Sequence, residues 1–260
     1  MDFQNRRVLV TGGTRGIGRA IVEKFLEEGA RVALNGRSAE SVAAASAELA
    51  AGDRIVAAPG DTSTAAGCRA VVEAACDGLG GLDVLVNNAG SGGGGPTEDL
   101  EEAIWDKVID TNLKGTFFCT KYALPALRAA KGAIVNMASV RAVQGTAGGS
   151  IYCASKGGVV SMTKAWAIEF APDVRVNALC PGAIDTDMLQ ALAVRMAGSV
   201  DAGYAVMSET VPMGRIAHAS EMADAVLYLA SDRASYVTGI AMLADGGMTA
   251  GVVGRVQKAD

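Results

Sequence analysis

The stretch Thr11-Gly12-Gly13-Thr14-Arg15-Gly16-Ile17-Gly18 follows the apolar run Val8-Leu9-Val10 and leads into a segment with helical spacing. Gly12, Gly16 and Gly18 allow a tight turn, close approach of a pyrophosphate to the backbone, and close packing of the helix on the strand. Thr14, Arg15 and Ile17 fill the turn between them, and the helix that starts at Gly16 offers unpaired N–H groups to an anion. A glycine-rich loop on its own is an ordinary strand-to-helix turn; a strand before it and a helix after it make it a candidate dinucleotide cradle.

Working outward, short β-branched runs alternate with longer Ala-rich segments. Strands are predicted over residues 7–11, 31–35, 54–58, 82–86, 133–138, 174–179 and 240–243. Helices are predicted over 16–28, 39–50, 64–78, 101–109, 114–129, 152–170 and 221–230. Strands that are nearly all apolar are buried on both faces, so the pattern predicts an α/β fold, one doubly wound parallel sheet of about seven strands with helices on both sides. No linker or composition break divides residues 1–260, which read as a single dinucleotide-binding and catalytic domain. In such a fold ligands bind beyond the carboxyl ends of the strands, and the chemistry-bearing residues do follow predicted strands.

Composition narrows the function. The chain of 260 residues is 50% apolar and 20% charged, enough to bury a full core, and its 33 glycines show no fixed period. A net charge of −5 with no basic stripe argues against a nucleic-acid partner. No apolar stretch is long enough to span a bilayer, and Met1-Asp2-Phe3-Gln4-Asn5 lacks the layout of a signal peptide. Cys68, Cys76, Cys119, Cys153 and Cys180 are scattered and without metal-ligand spacing, so reduced thiols in a cytoplasmic protein are expected, with no metal. His218 is the single histidine, which disfavours a Ser-His-Asp hydrolase or a two-histidine zinc site, and it reads as a surface residue.

Tyr152-Cys153-Ala154-Ser155-Lys156 sets a Tyr and a Lys four residues apart, on one face of the predicted helix, with Cys153 turned toward packing. A free phenol titrates near pH 10, about three units above neutrality, and a neighbouring ammonium is expected to lower that value into the range of acid/base work. Ser139 follows the strand at 133–138, and Asn112 interrupts a helical stretch. After the second strand comes Gly36-Arg37-Ser38: an acid that would hold ribose hydroxyls, placed about 20 residues past the glycine motif, is missing there. Arg37 and Arg15 instead offer two guanidiniums suited to a 2′-phosphate.

The TGxxxGxG spacing resembles the short-chain dehydrogenase/reductase family, in its single-domain branch, over about residues 6–248. By overall look the 3-oxoacyl-acyl-carrier-protein reductase type is nearest. The resemblance implies an oxidoreductase that interconverts a ketone and a secondary alcohol, on a small carbonyl or alcohol substrate with acyl thioesters within its range. Arg15 and Arg37 resemble the family's NADP(H) pattern. Asp61-Thr62 resembles the adenine-contacting acid and its neighbour, and Asn88-Ala89-Gly90 the turn beneath the ribose. Asn112, Ser139, Tyr152 and Lys156 match the catalytic tetrad. It implies that Tyr152 exchanges the proton, Ser139 positions the substrate oxygen, Lys156 holds the nicotinamide ribose and tunes Tyr152, and Asn112 anchors a relay water. Pro181-Gly182-Ala183-Ile184-Asp185-Thr186 resembles the turn over the nicotinamide, with contacts from Pro181, Gly182, Ile184 and Thr186. It also implies a homotetramer, paired through helices 114–129 and 152–170 and through the last strand. NAD(H) in place of NADP(H), or a non-catalytic dinucleotide sensor or scaffold, are the competing readings.

A segment at about 186–215, with Met188, Met196, Met207 and Met213, is expected to face the substrate, and Gly92-Gly93-Gly94-Gly95 to give the pocket a flexible, roomy rim. The last ten or so residues carry no readable signal.

Overall fold

The computed structural model describes residues 3–251; Met1, Asp2 and the uninformative tail at 252–260 lie outside the described residues. The chain runs β1 (Arg7–Val10), α1 (Gly16–Glu27), β2 (Arg31–Leu34), α2 (Ala39–Leu49), β3 (Ile55–Ala57), α3 (Ala65–Leu79), β4 (Val84–Asn87) and α4 (Glu102–Ile109). It continues through α5 (Gly115–Ala130), β5 (Ala133–Met137), α6 (Ser150–Glu169), β6 (Arg175–Pro181), α7 (Asp187–Ala197), α8 (Val200–Ser208), α9 (Ala219–Ala230) and β7 (Ala241–Ala244). All seven strands pair in parallel in one sheet of order β3-β2-β1-β4-β5-β6-β7, the doubly wound arrangement that the sequence pattern predicts.

Alternation along each strand builds the two cores. Val8 and Val10 of β1 and Val84 and Val86 of β4 pack with Ile21, Phe25, Val226 and Leu229 from α1 and α9. Leu9 and Leu85, one residue out of step, point to the opposite face and pack with Val71, Leu127 and Trp166 from α3, α5 and α6. Both faces are therefore covered, which is why these strands carry almost no polar residues until their carboxyl ends. The order reverses at β1, whose neighbours are β2 and β4, so the crevice opens beyond Val10 and Val86.

The path from α4 to α5 is not a break. Residues Asp110–Lys114 form a single π turn that joins the two helices, and the extra residue carries the Asn112 side chain inward, where it is buried. The segment expected to face the substrate forms two helices: Thr186 caps α7, Gly198 ends it in the left-handed region, and Ser199 caps α8.

Candidate functional site

The glycine turn is held by its neighbours more than by itself. Gly12 has φ +62, and a Cβ there would meet Ala89 Cα at 2.9 Å, so the turn lies flat against the exit of β4. A Cβ on Gly18 would overlap the carbonyl oxygen of Gly12 and the Asn88 side chain, so α1 starts pressed onto the turn. Asn88 Nδ2 donates to the carbonyls of Thr11 and Gly12 at 2.9 and 3.0 Å, and the Thr11 hydroxyl accepts from the N–H groups of Asn88 and Ala89 at 2.9 and 3.0 Å. Asn35, which the sequence reading passes over, completes the stitching. Its Oδ1 accepts from Gly12 N at 3.1 Å and its Nδ2 donates to Ala58 O at 2.8 Å, tying the exits of β1, β2 and β3 together. No side chain caps α1, so the N–H donors of its first turn, at Gly16, Ile17 and Gly18, face the crevice with the positive end of the helix dipole.

Around this cradle, Arg37 is exposed after β2 and has no ion pair among the described residues. A Cβ on the preceding Gly36 would lie 2.7 Å from Thr14 Cγ2, so β2 presses on the turn at the place where an acid would stand. Arg15 is also exposed, and its Nη1 lies 3.3 Å from Asp187 Oδ2 at the start of α7. Asp61 is exposed beyond β3, where Oδ1 accepts from Ser63 N at 2.9 Å to shape the entry to α3; Thr62 beside it is buried. On the far side, Ile184 is buried and bridged to Ala217, and Gly182 lies against Asp245 so closely that a Cβ would come within 2.7 Å of its Cα. Thr186 reaches back over the glycine turn, 3.5 Å from where a Gly16 Cβ would be. The two motifs, 170 residues apart, thus form one crevice, with Pro181 ending β6 at its floor.

Ser139, Tyr152, Lys156 and Asn112 converge at the carboxyl end of β5. Ser139 starts a short turn at Val140–Ala142 and accepts from Arg141 N at 3.1 Å. Burial pushes the Tyr152 phenol above its ordinary value, while a hydrogen bond with Ser139 and the charge of Arg141 pull it down. Lys156 is buried on the same helix face, 5.8 Å from the centre of the Tyr152 ring, and donates to Met137 O at 2.8 Å. The anticipated lowering of the Tyr152 value by Lys156 is therefore corrected: desolvation governs the phenol here, and the downward pulls come from Ser139 and Arg141. Burial also brings Lys156 itself down to about 8, against a smaller upward pull from Cys180.

Asn112 is a clamp. Its Oδ1 accepts from Ser91 N at 2.7 Å, and its Nδ2 donates to Ser91 O and to Ser155 Oγ, each at 3.0 Å. Ser155 Oγ in turn donates to Tyr152 O at 2.8 Å, so the π turn, the exit of β4 and α6 are locked in one register. Gly90 closes the group: a Cβ there would lie 3.5 Å from Asn112 Oδ1 and 3.6 Å from Lys156 Nζ.

The glycine run at 92–95 differs from the roomy rim expected. Gly95 N donates to Gly148 O at 2.9 Å, a Cβ on Gly94 would overlap that same carbonyl, and one on Gly93 would lie 2.7 Å from Val108. These glycines let two loops pack backbone to backbone. Only Gly92 faces the α7 side, with Met188 Sδ at ordinary contact distance. His218 is exposed, and its N–H donates to Glu221 at the start of α9. Among the described residues no His, Cys, Asp and Glu side chains gather as metal ligands, and no helix is long and apolar enough to cross a membrane.

Comparison with known proteins gives the family. The family profile described as enoyl-(acyl carrier protein) reductase matches residues 12–249. The chain is 38% identical over 255 residues to 2-(S)-hydroxypropyl-CoM dehydrogenase 3 of Xanthobacter autotrophicus, covering 95% of this chain and 98% of that one. It is 38% identical over 247 residues to the 3-oxoacyl-(acyl-carrier-protein) reductase of Staphylococcus aureus, covering 94% and 98%. Among solved structures, a variant of the actinorhodin polyketide ketoreductase with NADPH superposes with a TM-score of 0.89 at 37% identity, over 94% of this chain and 97% of that one. These matches cover nearly the whole chain: it belongs to the short-chain dehydrogenase/reductase family, oxidoreductases of alcohol and carbonyl carbons.

Proposed function

We propose that the chain interconverts a ketone and a secondary alcohol with NADP(H), and that Tyr152 is its acid/base. The observation that carries this reading is the meeting of Ser139, Tyr152 and Lys156 at the end of β5, beside a cradle whose glycines leave no room for a side chain. That cradle fits a dinucleotide: the uncapped start of α1 and the turn at Gly12–Gly18 would hold the pyrophosphate, and Asn88–Gly90, Ile184 and Thr186 line the path toward Lys156. When bound, the nicotinamide supplies or accepts the hydride.

The residues of the chain do the rest. A phenol that burial keeps protonated is suited to donate to a carbonyl oxygen, which favours the reductive direction. Ser139 shares a hydrogen bond with Tyr152 and so fixes where that oxygen must sit. Lys156, cationic below about pH 8, adds positive charge beneath the site. Selection of NADP(H) over NAD(H) rests on Arg15 and the unpaired Arg37, with no acid at Gly36, and the NADPH in the ketoreductase neighbour supports it. The names of the relatives support a substrate range that includes acyl thioesters. We read the chain as one domain whose α7–α8 segment faces the substrate, and as a cytoplasmic homotetramer, the exposed Phe117 of α5 and Ile168 of α6 supporting subunit contacts there.

A panel of ketones and alcohols, followed by nicotinamide absorbance with NADPH and NADH, tests the reading. Tyr152→Phe should lower kcat by about 10²-fold or more while NADPH affinity is unchanged. Arg37→Ala should weaken NADPH by about tenfold and leave NADH nearly unchanged. A Tyr152→Phe enzyme with full activity, or equal loss for both nucleotides, would overturn the respective part.

A further inference from the structure

Most guanidiniums among the described residues are matched. Arg7 grips Asp83 through two nitrogens at 2.8 and 2.9 Å, Arg215 grips Glu221 at 2.7 and 2.8 Å, and Arg175 donates to the last carbonyls of α9. Arg141 is different. It is half-buried, two residues beyond Ser139, and its own N–H is bound to the Ser139 hydroxyl. Its guanidinium has only two long contacts to neutral acceptors, Gln144 Oε1 at 3.3 Å and Gly145 O at 3.4 Å, and no carboxylate pairs with it among the described residues. The turn that carries it packs on α6, with Ala142 O in contact range of Gly157, so the side chain is anchored at the root and free at the tip. Through the Ser139 hydroxyl that its N–H binds, Arg141 stands beside the hydrogen-bonded pair Ser139 and Tyr152, near enough for its charge to act on the phenol.

We propose that Arg141 selects a ketone that carries a carboxylate or comparable anionic group close to its carbonyl carbon, the guanidinium pairing with that group while Ser139 and Tyr152 hold the carbonyl oxygen. This rests on the ketone-reducing reading above and narrows its substrate class. An arginine is charged at every working pH and offers its donors as a fork that matches a carboxylate. Two long bonds to neutral oxygens are exchanged for a bidentate, charge-assisted pair at little cost, because the partners left behind, Gln144 and Gly145, are exposed to water. The apolar residues of α7 then cover the remainder of the substrate, and Met188 is the nearest of them to the glycine rim.

The test uses a pair that differs in charge and by one methyl group, acetoacetate and methyl acetoacetate, reduced with NADPH by the full-length protein. Wild-type kcat/KM should favour acetoacetate by about tenfold or more. Arg141→Gln should lose about 10²-fold more on acetoacetate than on the ester, with Arg141→Lys in between. A second measurement needs no variant: propionate should inhibit reduction of the ester competitively, and propionamide should not. Equal losses on both substrates, or no loss on either, overturn the proposal, as does a wild type that reduces neutral ketones in preference to acetoacetate. A protein that binds NADPH in a fluorescence titration yet reduces no ketone of the panel overturns the oxidoreductase reading itself.

Discussion

At the cofactor end of the crevice, side chains of Thr11, Asn35 and Asn88 tie the exits of four strands to one another, and Gly12 and Gly18 there press on neighbouring backbone and on the Asn88 side chain. At the other end, which we propose faces the substrate, α7 and α8 hang from two hydroxyl caps and from Asp185, which accepts from Tyr204 at 2.7 Å and from Gln190 at 2.9 Å. The contrast extends to surface: Ala193 is the one buried residue of α7, while Met188, Leu192 and Met196 stay exposed. A pyrophosphate is the same in every dinucleotide, so the part that holds it gains from rigidity. A pocket for a particular ketone gains from a segment that can settle on its ligand, and few buried contacts make such settling cheap.

The strongest blow to that contrast is Gly18→Ala. The added methyl must displace either the Gly12 carbonyl or the Asn88 side chain, and neither can yield without opening the stitch between β1 and β4. We expect a stability loss of about 3 kcal/mol and NADPH affinity lower by about 10²-fold. Gly92→Ala, on the α7 side, has only a methionine to move and should change stability by less than about 0.5 kcal/mol. Chemical denaturation of the two variants decides the matter; comparable losses would mean that the ends are equally stiff.

The same contrast explains what is legible in the sequence. The sheet, its seven strands and the glycine turn declare themselves because each depends on residues near in sequence: alternation within a strand, a turn between strand and helix. Asn112, Ser139, Tyr152 and Lys156 stand out as candidates through their spacing and through family resemblance. Asn35 is not, because its partners Gly12 and Ala58 lie on two other strands, and an asparagine ending a strand is in itself unremarkable. Nor is Arg141, whose distinction is the lack of an acid that only tertiary packing reveals. Helices α7 and α8 escape periodicity because most of their apolar residues face outward and form no core stripe, although Thr186, Gly198 and Ser199 are start and stop signals in plain view. The role of the glycine run at 92–95 escapes as well, since a close approach to Gly148 leaves no mark in either segment.

Between the two ends stands Lys156, a buried cation that the fold tolerates at a cost. Its value falls from 10.5 to about 8, so between those limits the unfolded chain binds more protons than the folded one. Stability from this group therefore rises as pH climbs through that window and is least below pH 8, where the buried lysine is charged. The gap corresponds to about 3 kcal/mol, less about 1 kcal/mol for the bond to Met137 O. Lys156→Met should thus be more stable than wild type by about 2 kcal/mol at neutral pH, with the advantage fading toward pH 10, while turnover is lost. Unfolding at the two pH values checks it, and a variant less stable at neutral pH would show the lysine to be well paired rather than strained.

The smallest effect lies where the two ends meet. Arg15 belongs to the cofactor turn and Asp187 to the first turn of α7, and their contact at 3.3 Å joins two side chains that are both more than 70% exposed. Such a pair adds at most about 1 kcal/mol and is screened by salt. It matters because a 2′-phosphate and Asp187 would draw on the same guanidinium. Removing the acid by Asp187→Asn should then tighten NADPH by about threefold at low salt, leave NADH unchanged, and lose its effect at high salt. If both nucleotides tighten alike, the acid acts on the crevice as a whole by its charge, and the cofactor end is not coupled to α7 through Arg15.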